Sequence, residues 1–149
     1  MDKEKANKVG RPRIFKDPEE LWQVFEEYVE HNKKNPRIKY ELSGRTGEVV
    51  PIPLQPPLTL EAFNLFIFYK GLGDGARQYF ENTGKAYDEF LGVTTRIREC
   101  VKSEQVQGGM LGLYNPNLTA RLNGLTDKQE IDQKVTSNQL EVVIKRMDK

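Results

Sequence analysis

The hydrophobic positions change period twice along the chain, from helical to alternating and back to helical. Asp17-Pro18-Glu19-Glu20 is a helix start, with an Asp cap, Pro at the first helical position and Glu at the third. Leu21, Trp22, Phe25, Tyr28 and Val29 then fall on one face, with Glu26, Glu27 and Glu30 away from it. Lys33 and Lys34 suit the C-terminal end, and Asn35-Pro36 closes the helix. Residues 37–42 alternate polar and apolar, as does part of 48–53, and Ser43-Gly44-Arg45-Thr46-Gly47 between them reads as a hairpin turn. Pro51 and Pro53 cannot donate ladder hydrogen bonds, so the second strand must be an edge or stop early. The hairpin serves either as a DNA-touching wing with Arg45 at its tip or as a structural flap.

After an extended connector, Thr59 caps a helix whose apolar face is Leu60, Phe63, Phe66 and Ile67, widened by Phe68 and Tyr69. Gly71-Leu72-Gly73 breaks it, Asp74 can cap a second helix, and Ala76, Tyr79 and Phe80 give that helix a short inner face. Two short helices around a glycine-containing turn are the pattern of a helix-turn-helix. Its second helix would expose Arg77, Gln78, Glu81 and Asn82, with Lys70 and Lys85 flanking. Arg and Gln suit bidentate base-edge contacts and Lys suits phosphate, although any helical hairpin is polar outside. A longer helix from about residue 86 to 107 carries Tyr87, Phe90, Leu91, Val93, Ile97, Cys100 and Val101 on one broad stripe. That stripe is wide enough to meet the helix-turn-helix and a neighbouring subunit together.

Gly108, Gly109 and Gly112 then stop this helix or let another part of the chain approach it closely. Asn115-Pro116 starts a short helix that continues through Leu118, Ala120, Arg121 and Leu122 and ends at Gly124. Beyond a polar linker, the β-branched run 140–144 favours a strand before a basic end. The expected fold is therefore mainly α: a helix-turn-helix-containing helical domain with a small β-hairpin insert, a flexible basic N-terminal arm and a short C-terminal strand or tail. The segments are 1–16 (arm), 17–58 (first helix and hairpin), 59–85 (helix-turn-helix element), 86–130 (long helix and glycine-rich segment) and 131–149 (tail).

Composition narrows the function classes. Only 37% of the 149 residues are hydrophobic and 30% are charged, a thin core that suggests completion by neighbouring subunits or dilution by the chain ends. Net charge is +1, so the chain is not uniformly basic. Lys3, Lys5, Lys8, Arg11, Arg13 and Lys16 nevertheless make the first stretch basic, beside an acidic helix. Gly10-Arg11-Pro12-Arg13 has the form of an extended minor-groove segment, or is a solvated tail. Trp22 is a core aromatic or a base-stacking platform. Cys100 is the only cysteine and His31 the only histidine, which argues against a disulfide, a thiolate metal site or metal catalysis, and no cofactor is expected. No paired carboxylates and no nucleophile beside a base suggest an enzyme. No apolar run approaches a membrane span and no signal peptide is read, so no membrane partner is expected.

Four segments carry a resemblance: Gly10-Arg11-Pro12, Thr59-Leu60-Glu61-Ala62, Gly108-Gly109-Met110-Leu111-Gly112-Leu113-Tyr114-Asn115 and Leu125-Thr126-Asp127-Lys128-Gln129-Glu130. Placed after a long helix and a helix-turn-helix pattern, they resemble the small terminase subunits of tailed phages over about residues 10–130. The resemblance implies a non-enzymatic protein that assembles as a ring of more than four subunits and recognises double-stranded viral DNA. It also implies hand-over of that DNA to the large terminase subunit, in a transient complex in the host cytoplasm rather than in the mature virion. On this reading Arg11, Arg13, Lys70, Arg77, Gln78, Asn82 and Lys85 face DNA. Phe90, Ile97, Val101, Met110 and Tyr114 form the inter-subunit contact, and Leu140, Val142 and Ile144 capture the large subunit. The alternatives are a dimeric helix-turn-helix transcription regulator and a structural adaptor of the virion.

Overall fold

The computed structural model describes residues 12–125. It is mainly helical, with one two-stranded sheet: α1 (Pro18–Lys34), β1 (Arg37–Leu42), β2 (Val49–Leu54), α2 (Leu60–Tyr69), α3 (Arg77–Glu81), α4 (Leu91–Met110) and α5 (Pro116–Leu122). Short 3-10 turns at Thr83–Lys85 and Asp88–Phe90 join α3 to α4.

The start of α1 is locally determined. Asp17 Oδ1 accepts the Glu20 N–H at 2.9 Å, and the Glu20 carboxylate accepts the Lys16 N–H at 2.7 Å. The buried face is Leu21, Val24, Phe25 and Tyr28, while Trp22 and Val29 are half-buried. Phe15, just ahead of the cap, is buried, and the backbone N–H groups of Ile14 and Phe15 both donate to the Tyr79 hydroxyl, at 2.8 and 2.9 Å. The arm expected over residues 1–16 therefore stops short of Ile14, where the chain already belongs to the core; residues 1–11 lie outside the described part.

The core is aromatic. Phe63 of α2 packs on Phe25 and Tyr28 of α1, with ring centroids 5.3 and 5.4 Å apart. Tyr79 of α3 packs on Phe15, Tyr87 and Phe90 at 5.3, 4.6 and 4.6 Å. Ile67, Ala76, Ile97 and Val101 complete the same cluster. Between α2 and α3, residues 70–76 make a longer connection than the roughly 3–4 residues of a compact helix-turn-helix. Its fixed point is Asn64, whose Oδ1 accepts the Ala76 N–H at 2.7 Å. Gly75 crosses over Asn64 at φ +121°, where a Cβ would stand 2.9 Å from that oxygen. The second helix consequently starts from Ala76 rather than from a cap at Asp74.

The hairpin has the expected strands, paired from Arg37↔Leu54 to Leu42↔Val49. The Ser43 N–H donates to the Glu48 carbonyl at 2.8 Å, which makes that pair hydrogen-bonded. Alternation then puts Tyr40↔Pro51 and Ile38↔Pro53 in non-hydrogen-bonded pairs. Both prolines turn their donor-less nitrogens outward, so β2 runs through them as an edge strand without losing a ladder bond.

Helix α4 runs through Gly108 and Gly109 and ends at Met110. Gly112, at φ +74°, closes it: its N–H donates to the Gly109 carbonyl at 3.2 Å, and that of Leu113 to the Gly108 carbonyl at 2.8 Å. Gly124 closes α5 in the same way, its N–H going to Arg121 at 3.3 Å and that of Leu125 to Ala120 at 2.8 Å. Gly108 and Gly109 are sites of close packing, the second of the two roles open to them. A Cβ on Gly108 would lie 2.1 Å from the Tyr114 ring, and one on Gly109 2.9 Å from the Thr119 side chain.

Gly108→Ala is therefore expected to lower stability by about 1–3 kcal/mol by overpacking, outweighing the roughly 1 kcal/mol that alanine gains in a helix. With Tyr114→Ala in place the same change becomes neutral or stabilising, and a double-mutant cycle by chemical denaturation measures the coupling. Equal effects of Gly108→Ala in both backgrounds would show that the ring does not set the constraint.

Candidate nucleic-acid and assembly surfaces

The segment from α3 to the start of α4 gathers cations around two backbone carbonyls. Arg13 pairs with Glu89, donates to the Ala86 carbonyl at 3.2 Å and lies over the Tyr87 ring, 5.5 Å from its centroid. Arg98 of α4 donates to the Phe80 carbonyl at 2.8 Å and lies over the Phe80 ring at 5.5 Å. Arg77 and Lys85 are exposed on the same stretch, and Lys85 holds a left-handed conformation at φ +57°. The surface is not purely basic. Arg77 faces Glu81 one helical turn away at 3.4 Å, and Asp88 and Glu89 lie in the 3-10 turn just ahead of α4. Such exposed pairs are weak and exchange readily for phosphate.

The seven residues expected to face DNA separate into groups. Arg13 contacts this stretch, and Arg77 and Lys85 are exposed on it; Arg11 lies outside the described residues. Asn82 turns inward: its Oδ1 accepts the Tyr87 N–H at 2.7 Å and its Nδ2 donates to Asp88 at 2.7 Å, fixing a left-handed turn at φ +45°. Gln78 is half-buried, its Nε2 enclosed without a hydrogen-bond partner among the described residues. Lys70 lies on another side, paired with Glu27 of α1 and 5.9 Å from the Phe66 ring. Helix α3 spans only Arg77–Glu81, about 7 Å of axis, too short to present a row of side chains to successive base edges. Arg98 escaped the sequence reading because its role comes from a carbonyl 18 positions away. Arg96, likewise off the apolar stripe, lies over Trp22 at 5.6 Å, so that the indole is a half-buried packing face.

The residues expected between subunits also divide. Phe90 and Ile97 are fully buried and Val101 nearly so, inside the subunit's own core. Their placement at an inter-subunit contact is therefore corrected: α4 spends its apolar stripe on Phe15, α1, α2 and Tyr79. Met110 is open to solvent at 83%. Tyr114 is half-buried on Gly108, and its hydroxyl donates to Glu104. The other oxygen of Glu104 accepts the Leu58 N–H at 3.0 Å, and Gln105 donates to the Leu58 carbonyl at 2.6 Å, so this corner ties the connector to α4 and α5. Burial, reinforced by the neighbouring Glu104 carboxylate, pushes the Tyr114 phenol well above its usual value; burial likewise raises that of Tyr28. Leu140, Val142 and Ile144 lie outside the described residues.

Among the described residues, three apolar surfaces are left uncovered. One is the corner of Met110, Leu111, Leu113, Leu118 and Leu122; the second is the outer side of α2 at Leu65, Phe68 and Tyr69; the third is the hairpin. The sequence signal for the third was present in the strand alternation, which leaves one face wholly apolar with no other strand among the described residues to cover it. Among the described residues no group of His, Cys, Asp and Glu could hold a metal ion, and no helix is long and apolar enough to cross a membrane.

Residues 10–131 match the family model of the DNA-packaging protein gp3. The chain is also similar to the terminase small subunit of Salmonella phage P22, at 25% identity over 123 residues, which cover 83% of this chain and 73% of that protein.

Proposed function

This chain belongs to the DNA-packaging protein gp3 family, and from that premise we propose that it is the genome-recognising small terminase subunit of a tailed phage. It works as a closed ring of more than four copies in the host cytoplasm, binds double-stranded viral DNA and presents it to the large terminase subunit. The family match over residues 10–131 carries this reading. The uncovered apolar surfaces support assembly, and the cations around α3 support phosphate contact.

Assembly explains how a weakly charged subunit acts as a DNA handle. A few Lys and Arg contacts give dissociation constants on the order of 10⁻⁴ to 10⁻⁶ M. Joining copies on one ring raises avidity by roughly 10²- to 10⁴-fold. The shortness of α3 favours positioning on the backbone over base reading by this helix, with sequence preference arising from DNA shape or from other parts of the chain.

Anisotropy titrations of phage DNA across a salt series test the proposal. Wild-type affinity should fall steeply with salt, and Arg77→Ala with Lys85→Ala should weaken binding by about tenfold or more and flatten the log–log slope by about 2 per engaged subunit. Absence of salt-dependent DNA affinity in the wild type overturns the reading. An unchanged slope in the variant removes α3 from the interface and moves the contact to Arg11 and Arg13.

A further inference from the structure

Resting on the ring reading above, we propose that the apolar face of the hairpin seats on a second copy of this chain, against the outer side of that copy's α2. The register places Ile38, Tyr40 and Leu42 opposite Pro53, Pro51 and Val49 on one face of the sheet, and none of the six is charged. Ile38, Tyr40, Leu42 and Val49 are 48%, 69%, 73% and 62% exposed. Together these four leave on the order of 500 Å² of side chain open, as much as a monomer's largest apolar patch normally reaches. All residues of both strands are exposed except the half-buried Ile52. A two-stranded hairpin with no packing partner is marginal in water, so this face calls for a cover that the described residues of its own subunit do not provide.

The partner surface is present on the same chain. Leu65, Phe68 and Tyr69 of α2 are 54%, 56% and 79% exposed, an apolar area of similar size. Beside them, α1 and α2 enclose an open cleft of about 1170 Å³ whose lining includes Leu65, Phe66 and Tyr69 together with Glu26 and Glu30. The hairpin carries Arg45 at its turn, opposite in charge to Glu26 and Glu30 of that lining, which Lys34, Arg37 and Lys70 share. The two faces joined would bury about 1,000 Å² of apolar surface, and polar edges bring the contact into the range of roughly 1,200–2,000 Å² of stable interfaces. Because one face is strand and the other helix, the contact is head-to-tail, the kind that closes rings. The outward prolines of β2 meanwhile block strand addition on that edge. The corner at Met110 and Leu113 adjoins Leu125, where the described residues stop, so its surroundings are incomplete among them.

A mixed cross-linking experiment tests the docking directly. In a Cys100→Ser background, one tagged chain carries Leu42→Cys and a differently tagged chain carries Leu65→Cys, and the two are co-expressed and oxidised. The expected product is a mixed 42–65 disulfide, with no covalent dimer when either variant is expressed alone. Absence of the mixed product, or a 42–42 dimer in its place, overturns the proposal. As a second measurement, Tyr40→Glu with Leu42→Glu should keep the subunit's helical circular dichroism and lower the assembled fraction at micromolar concentration at least tenfold. Assembly at the wild-type level overturns it. A mixed disulfide within a species that is only a dimer leaves the docking standing and defeats the ring reading instead, so the two failures are separable.

Discussion

Ile97→Asp is expected to abolish the folded subunit rather than to release folded monomers. Placed on an inter-subunit seam, as the sequence stripe suggests, Ile97 would tolerate a charge at the cost of assembly alone. In the structure it is fully buried in the cluster with Phe63, Phe90 and Tyr79. An aspartate there removes the burial of an isoleucine and encloses a carboxyl group among apolar side chains, a combined cost of about 4–6 kcal/mol. That is comparable with the entire stability of a small domain, about 5–15 kcal/mol. Thermal melting by circular dichroism and the soluble yield should both collapse. Met110→Asp, at a position 83% exposed, should melt like the wild type. A folded Ile97→Asp monomer with wild-type melting would contradict the core assignment.

Tyr79→Phe should be the next largest effect, although it removes one oxygen. The Tyr79 hydroxyl accepts two backbone N–H groups, from Ile14 and Phe15, at the point where the chain enters the core. Tyr79 itself is fully buried and Phe15 nearly so. Phenylalanine keeps the ring contacts with Phe15, Tyr87 and Phe90 but leaves both donors without that acceptor. At about 1–3 kcal/mol for each enclosed donor the expected loss is about 2–4 kcal/mol, discounted for the partly exposed Ile14. In a domain of about 100 residues this corresponds to a melting point lower by roughly 10–20 °C. The entry segment should also loosen before the rest unfolds, so tryptic cleavage after Arg13 and Lys16 should accelerate at temperatures where α4 remains intact. Unchanged melting and unchanged cleavage would show that the hydroxyl does not anchor this segment.

Local chemistry made much of the fold legible in the sequence. Asp17, Thr59 and Asn115 cap the helices where their side chains predict, the hairpin pairs as its alternation predicts, and Gly124 ends α5. Properties set by distant partners were hidden. A glycine that ends a helix and a glycine that admits a tyrosine ring look alike in sequence, and only the fold brings Tyr114 onto Gly108. The stripe on α4 gives the direction of burial but not whose atoms cover it, so Ile97 and Val101 read equally well as core and as seam. Asn82 looked like a base reader because its use depends on Tyr87 and Asp88, to which it is bonded across a tight turn. Phe15 has no periodic neighbours to reveal it, lying alone between a basic stretch and a helix cap.

The proposed closed ring is put to the test by absolute mass, measured by native mass spectrometry with light scattering at low and moderate salt. A single species of more than four subunits that persists at moderate salt is expected, because the described surfaces open for assembly are apolar. A monomer or a dimer across micromolar concentrations would contradict it.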